Sequence, residues 1–356
     1  MKKFVLLILL SILILPSCDN EIPVTDPLTD CPLWYPVSDD PNLIPIEKVV
    51  PTQTILGSSK NKEKLAFRGY HGLEILNLRT GYIQAFDPDY FNNKLPPNVI
   101  YGRGTYLYWC PYDNNRLLMH SVTFTDTVGD GKHYEWAQNL YITSLDGKEF
   151  KKVTPTSYGP AGGDFHIISW LEGSSPNEDY ILFGGGKGVY IPQKDQWIPQ
   201  PAPAKEGDYI VSVSPNNQYY LLSVDIGNYK RKYVLNDVDL NFRDKIGSIT
   251  YESWSPDCKM LALSVQVSEP GDVPIQKWRF TEIWIIDVEK LMQERPAITP
   301  VSIINIRRNF CMYSYNIGAE FITDTTLAVS MFGPYDRRGE IYEISISGKM
   351  IRQLTY

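Results

Sequence analysis

The sequence predicts an all-β fold, a six-bladed β-propeller of four-stranded antiparallel blades. Three observations predict it. Apolar residues come in short alternating runs broken by Gly, Asn, Asp and Pro, the period of half-buried strands. Long amphipathic helical patterns are missing, and the one fair helix candidate is the short stretch Val288 to Arg295. A two-part motif also recurs along the chain at intervals that suit propeller blades of about 40–45 residues. The 24 tyrosines and 8 tryptophans fit pleated, half-buried surfaces.

The chain opens on Met1-Lys2-Lys3, followed by Phe4 to Leu15, apolar except for Ser11, and then Leu15-Pro16-Ser17-Cys18. A basic start, an apolar run too short to span a bilayer and a small residue before the cut mark residues 1–17 as a secretory signal peptide. The stretch resembles the lipobox of bacterial lipoproteins, with Leu15 three before the cysteine and Ser17 just before it; Pro16 is a less usual middle residue. An ordinary signal with a chance cysteine is the competing reading. The resemblance implies lipidation of Cys18, each buried acyl methylene adding roughly 0.8 kcal/mol of membrane affinity. The expected location is the cell envelope, lipid-anchored at the outer membrane and facing the periplasm or the surface. The acidic start Asp19-Asn20-Glu21 resembles surface-exposed lipoproteins of the Bacteroides group. Residues 18–47, rich in Pro and Asp, read as a flexible tether, and residues 48–356 as the propeller.

The clearest copy of the repeat is Glu252-Ser253-Trp254-Ser255-Pro256-Asp257-Cys258-Lys259 followed by the apolar strand Met260 to Ser264. Val211 to Ser223 and Leu107 to Leu118 are further copies. Each is a strand, a tight turn at Pro plus Asp or Asn, and a second strand; Pro presets φ, and Asp or Asn tolerates unusual backbone angles. The other half is a strand ending near Asp-Gly and then one ending in Leu/Val-Thr, as in Asn139 to Thr154 and Glu340 to Thr355. Together these halves resemble the TolB-like repeat (WD40-like, PD40-type) of bacterial β-propellers, W-S-P-D-G-K, an apolar strand, I-Y, D-G, then L-T. Cys258 stands where the pattern expects glycine. The anchors divide the chain into six blades: Lys48 to Phe86, Thr105 to Thr154, His166 to Ile198, Tyr209 to Ile246, Ile249 to Ile304, and Asn316 to Thr355. The second and fifth are long and carry insertions. Leu43 to Val50 is a possible additional strand.

Without residues 1–17 the chain has 32 basic against 41 acidic residues, a net charge of −9. That balance gives no electrostatic footprint for nucleic acid. Besides Cys18 there are Cys31, Cys110, Cys258 and Cys311, which allow three full pairings. No CxxC, no HExxH and no close histidine pair is present, so neither a metal nor a cofactor is expected. Gly184-Gly185-Gly186-Lys187-Gly188 lacks the Walker spacing and reads as a hairpin turn. Asp126 to Lys132 lacks EF-hand spacing, and no nucleophile elbow occurs. His120 reads as a structural residue within a strand. Trp109, Trp170 and Trp254 read as core residues recurring at one blade position.

The longest loops fall between second and third strands or between blades, on the face where the resemblance implies that ligand contacts collect. Surplus loop length on a rigid scaffold is a functional signal. The candidate binding residues there are Tyr70, His71, Arg103, His133, Trp136, His166, Trp278, Arg279, Tyr335 and Arg337, an aromatic rim with arginines suited to sugars, peptides or carboxylates. The expected function is a non-catalytic, membrane-anchored binding scaffold for an envelope protein, peptide or glycan. The alternative is a carbohydrate-active lyase or hydrolase using acids from separate blades.

Overall fold

The computed structural model describes residues 53–69, 72–86, 88–95, 99–101, 106–126, 134–158, 167–173, 178–184, 187–199, 208–226, 231–240, 246–267, 280–294, 300–312, 318–333 and 338–356. Their strands form six antiparallel sheets, five of them four-stranded meanders and one, the second, five-stranded. Blade 1 is β1 (Thr54–Ser58), β2 (Lys64–Gly69), β3 (Gly72–Asn77) and β4 (Ile83–Phe86). Blade 2 is β5 (Val99–Tyr101), β6 (Tyr106–Trp109), β7 (Arg116–Asp126), β8 (Tyr134–Ser144) and β9 (Phe150–Lys152). Blade 3 is β10 (Ile167–Glu172), β11 (Asp179–Phe183), β12 (Gly188–Ile191) and β13 (Gln196–Ile198). Blade 4 is β14 (Tyr209–Val213), β15 (Tyr220–Asp225), β16 (Arg231–Leu235) and β17 (Val238–Asp239). Blade 5 is β18 (Ile246–Trp254), β19 (Met260–Val267), β20 (Phe280–Asp287) and β21 (Ser302–Asn305). Blade 6 is β22 (Ala319–Phe321), β23 (Thr326–Met331), β24 (Glu340–Ser345) and β25 (Met350–Gln353).

The first strands meet around an axis: β1 packs on β6, β6 on β10, β10 on β14, β18 on β22, and β22 on β1. Six apolar clusters fill the six seams between neighbouring blades. Ala66 and Ile75 of blade 1 meet Leu117 and Met119 of blade 2; Leu118 and Ile142 meet Ile167 and Ile181 of blade 3; Leu182 and Val189 meet Ile210 and Leu222 of blade 4. Leu221 and Leu235 then meet Trp254 and Leu263 of blade 5, Ile283 and Ile285 meet Phe321 and Val329 of blade 6, and Ala328 and Ile341 meet Leu65 and Phe67 of blade 1. Adjacent residues of one strand therefore face opposite seams, as Ala66 does between Leu65 and Phe67. This is why the second strands read as continuous apolar runs: both faces are buried.

The turns have one design. In blade 5, Ser255 Oγ donates to Asp257 Oδ1 (2.6 Å), which also accepts from the Lys259 amide (3.0 Å), while the Met260 amide donates to Ser255 Oγ (2.9 Å). Ser214 with Asn216 in blade 4, Ser59 with Asn61 in blade 1, and Ser144 with Asp146 in blade 2 repeat it. The residue after the acid or amide is left-handed: Cys258 (φ 60°), Asn217 (59°), Lys62 (56°) and Gly147 (74°). The missing glycine of the fifth blade's turn is thus a real departure, since Cys258 adopts the conformation glycine would take.

Several expectations are refined. The Gly184 to Gly188 stretch joins β11 to β12, with Phe183 opposite Gly188. The helix at Val288 is α2 (Val288–Glu294), capped where the Lys290 amide donates to Asp287 Oδ1 (2.9 Å). Two five-residue helices were not anticipated, α1 (Pro88–Asn92) and α3 (Ile306–Phe310). Blade 2 starts earlier than expected, because β5 pairs with β7, and Ile246 belongs to blade 5, not blade 4. Leu43 to Val50 lies outside the described residues.

The three tryptophans do not share one position. Trp109 and Trp254 end their first strands, and each indole reaches into the preceding blade, Trp109 Nε1 to Gly57 O (3.0 Å) and Trp254 Nε1 to Ser212 Oγ (2.9 Å). Trp170 sits two residues before the end of β10 and donates within its own blade to Asp179 (3.0 Å). A full set of disulfides is also ruled out: Cys110 and Cys258 are free and buried, whereas Cys311 is disulfide-bonded.

Candidate functional site

Two features could meet a ligand: the channel at the axis and the raised ends of two blades. The channel is lined by first strands. Glu320, in β22, and Tyr251 and Glu252, in β18, come from neighbouring blades, and Ser58 ends β1. Tyr251 Oη donates to Glu320 Oε2 (3.2 Å). Glu320 Oε1 accepts from the Ser58 amide (3.2 Å), from the Ser58 hydroxyl and from Lys62 Nζ (3.1 Å). The Lys62–Glu320 ion pair is mostly buried. Tyr108, on the opposite blade, donates to Ile167 O (2.7 Å).

Glu252 is half-buried. Burial, and then the neighbouring Glu320 charge, push its carboxyl up to about 8. At neutral pH it is a protonated donor beside an ion-paired carboxylate. Burial, reinforced by Glu320 and Glu252, holds the Tyr251 phenol well above its ordinary value. The axial site thus offers one neutral hydroxyl donor, the Glu252 carboxyl; the Tyr251 hydroxyl and Lys62 are both engaged by the Glu320 carboxylate.

The second feature is on the opposite end of the strands from the Ser-Asp turns. In blade 1, β2 has 6 residues; in blade 2, β7 has 11 and stays paired with β8 as far as Asp126 opposite Tyr134. The additional five residues raise this hairpin by about 17 Å at roughly 3.4 Å per residue. In blade 5, β19 has 8 residues and pairs with β20 as far as Val267 opposite Phe280. Blades 2 and 5 are three apart in a ring of six, so the two raised hairpins face each other across the axis.

Of the residues expected to bind, Tyr70, His71, Arg103, His133, His166, Trp278, Arg279, Tyr335 and Arg337 lie outside the described residues, as does Cys18. The backbone of Trp136 lies in the raised part of β8, opposite Phe124, and its side chain is outside what is described. His120 is buried, its Nε2 2.9 Å from Gln138 Oε1, in line with a structural role. The axial residues escaped the sequence reading. Their signal was a charge inside a first strand, Glu252 two residues before Trp254 and Glu320 between Ala319 and Phe321. Among the described residues no group of three or more His, Cys, Asp or Glu could hold a metal ion, and no helix is long and apolar enough to cross a membrane.

No protein-family model matches the sequence, and no curated protein is similar to it. Solved structures similar in shape include the β-propeller domain of Cps50 (Swd1) from Myceliophteria thermophila, 11% identical over 79% of this chain and 94% of that one, with a TM-score of 0.42. TolB from Acinetobacter baumannii is 11% identical over 85% of this chain and 63% of that one, with a TM-score of 0.44. A TolB homologue from Agrobacterium tumefaciens is 13% identical over 79% and 87%, with a TM-score of 0.39. The propeller assignment rests on the strand order and the six filled seams.

Proposed function

We propose that this chain is a lipid-anchored envelope lipoprotein whose propeller is a non-catalytic binding scaffold for a protein, peptide or glycan. The observation that carries the reading is the pair of raised hairpins on opposite blades, a two-walled surface on a rigid ring. Signal peptide, lipobox and tether supply the anchoring half of the proposal, with Cys18 carrying the lipid. The experiment is affinity capture from detergent-solubilised envelope with the full-length chain. It is run beside a variant with Tyr70, His71, Arg279 and Arg337 changed to Ala. One ligand enriched by the wild type and lost by the variant is expected; equal recovery by both contradicts the assignment of the face.

A second reading has one specific observation behind it. Glu252 and Glu320 are a protonated acid and a carboxylate on neighbouring first strands, the two roles that glycoside cleavage needs. Turnover of envelope polysaccharide that Glu252→Gln abolishes, while the variant folds normally, would favour the enzyme over the scaffold.

A further inference from the structure

Cys311 follows α3, in the connection between blades 5 and 6. Its φ of 51° ends the helix in the left-handed conformation. Its neighbours Phe310 and Met312 pack against the apolar cluster of that seam, so the cysteine is held on the body of the ring. Cys311 is disulfide-bonded. The chain has five cysteines, and Cys110 and Cys258 are buried free thiols. Its partner within the chain is therefore Cys18 or Cys31. A sulfur that bears the lipid anchor has no thiolate to exchange, because disulfide formation requires one.

We infer that Cys31 is bonded to Cys311, so that the anchoring segment is clamped to the ring at the blade 5–6 connection. The inference rests on the reading of Cys18 as the lipid-bearing residue. Two thiols give up two protons and two electrons to a disulfide-bearing oxidant of the envelope, which leaves as a dithiol. The clamp shortens the leash. From Cys18 to Cys31 is 13 residues, a reach of about 45 Å at most, whereas an unclamped segment from Cys18 to β1 would reach about 120 Å. The bond therefore sets how far the propeller can stand from the membrane and which edge of the ring is tied to it.

The test is a non-reducing peptide map of the full-length protein taken from membranes, with free thiols alkylated under denaturing conditions. A glutamyl-specific protease cuts at Glu21 and so separates Cys18 from Cys31. The expected map has a Cys31–Cys311 linked peptide, a lipid-modified Cys18 peptide, and alkylation confined to Cys110 and Cys258. In Cys31→Ser, alkylation of Cys311 should appear while Cys18 keeps its lipid. Alkylated Cys31 and Cys311 in the wild type would overturn the clamp and leave the anchor standing. A Cys18–Cys311 peptide would overturn both. A Cys31–Cys311 peptide with unmodified Cys18 would confirm the bond but remove its role as a leash.

Discussion

Glu252 carries its proton at neutral pH because burial penalises its charged form, and because ionising it would place a second negative charge next to Glu320. Its carboxyl lies at about 8, against an ordinary value of 4.5. Between those values the unfolded chain has released the proton while the native chain still holds it, so stability falls as pH rises through that window and levels off above it. Glu252→Gln removes this dependence. Urea unfolding from pH 5 to pH 9 should show the wild type losing stability relative to the variant; parallel profiles would contradict the assignment. Glycines test the turn design at the same scale. Gly147 and Gly81 share a φ of +74°, but a Cβ at Gly147 would lie 2.9 Å from Tyr90 Oη, whereas at Gly81 it would meet nothing within 4 Å. Tyr90 is wedged against Phe86 and Phe91, with ring centres 4.9 and 5.1 Å away. Alanine at either position should cost about 1 kcal/mol from the backbone, with roughly 1 kcal/mol more at Gly147 from overpacking. Equal losses would show that Tyr90 gives way freely. The Asp146-Gly147 turn was legible in the sequence because its residues act on their own backbone. The Glu252–Glu320 pair was not, because 68 residues separate partners that only ring closure brings together.

Seams, more than individual blades, hold the elements in place. Between blades 2 and 3 the apolar packing is joined by a polar hub around Arg116, the first residue of β7. Its guanidinium binds Glu149 through two bonds (2.8 and 3.0 Å) and donates to Tyr112 Oη (3.0 Å). It also lies 3.6 Å from the buried Asp179 of blade 3 and over the ring of Trp170. Asp179 in turn accepts from Tyr112, Trp170 and Gln193. Replacing Arg116 by Met keeps the stem but strips a buried carboxylate of its cation. The expected loss is about 3 kcal/mol in equilibrium unfolding, and a loss under about 1 kcal/mol would mean that the other donors suffice. At this scale the strands were readable because period and turn chemistry are local. Strand β5 was not: its pairing with β7 depends on how far the second blade's hairpin extends, which no turn signal reports. The tryptophan register failed for a similar reason, since Trp170 answers to Asp179 and not to the repeat.

Among the described residues the molecule is a ring whose every blade is a continuous stretch of sequence. Side chains tie its first blade to its last. Gln53, just before β1, donates to Glu340 (3.1 Å), accepts from the Thr355 hydroxyl (2.5 Å), and through its carbonyl accepts from Ser330 (2.5 Å). Beside this, Ile55 packs so tightly on Gly318 that a Cβ there would lie 2.7 Å from the isoleucine Cβ. A closed ring fixes the distance between opposite blades, and that rigidity turns the raised hairpins of blades 2 and 5 into a defined surface. The length of those blades was visible in the sequence, but their opposition across the axis follows only from there being six. The most direct test of the scaffold proposal is photo-cross-linking in intact cells. A cross-linking side chain is placed at position 136 in the raised part of β8, and separately at the exposed turn position 216 on the other face. The expected result is a discrete or ladder-like adduct from position 136 and none from position 216. Adducts from position 216 alone, or from neither position, would contradict it.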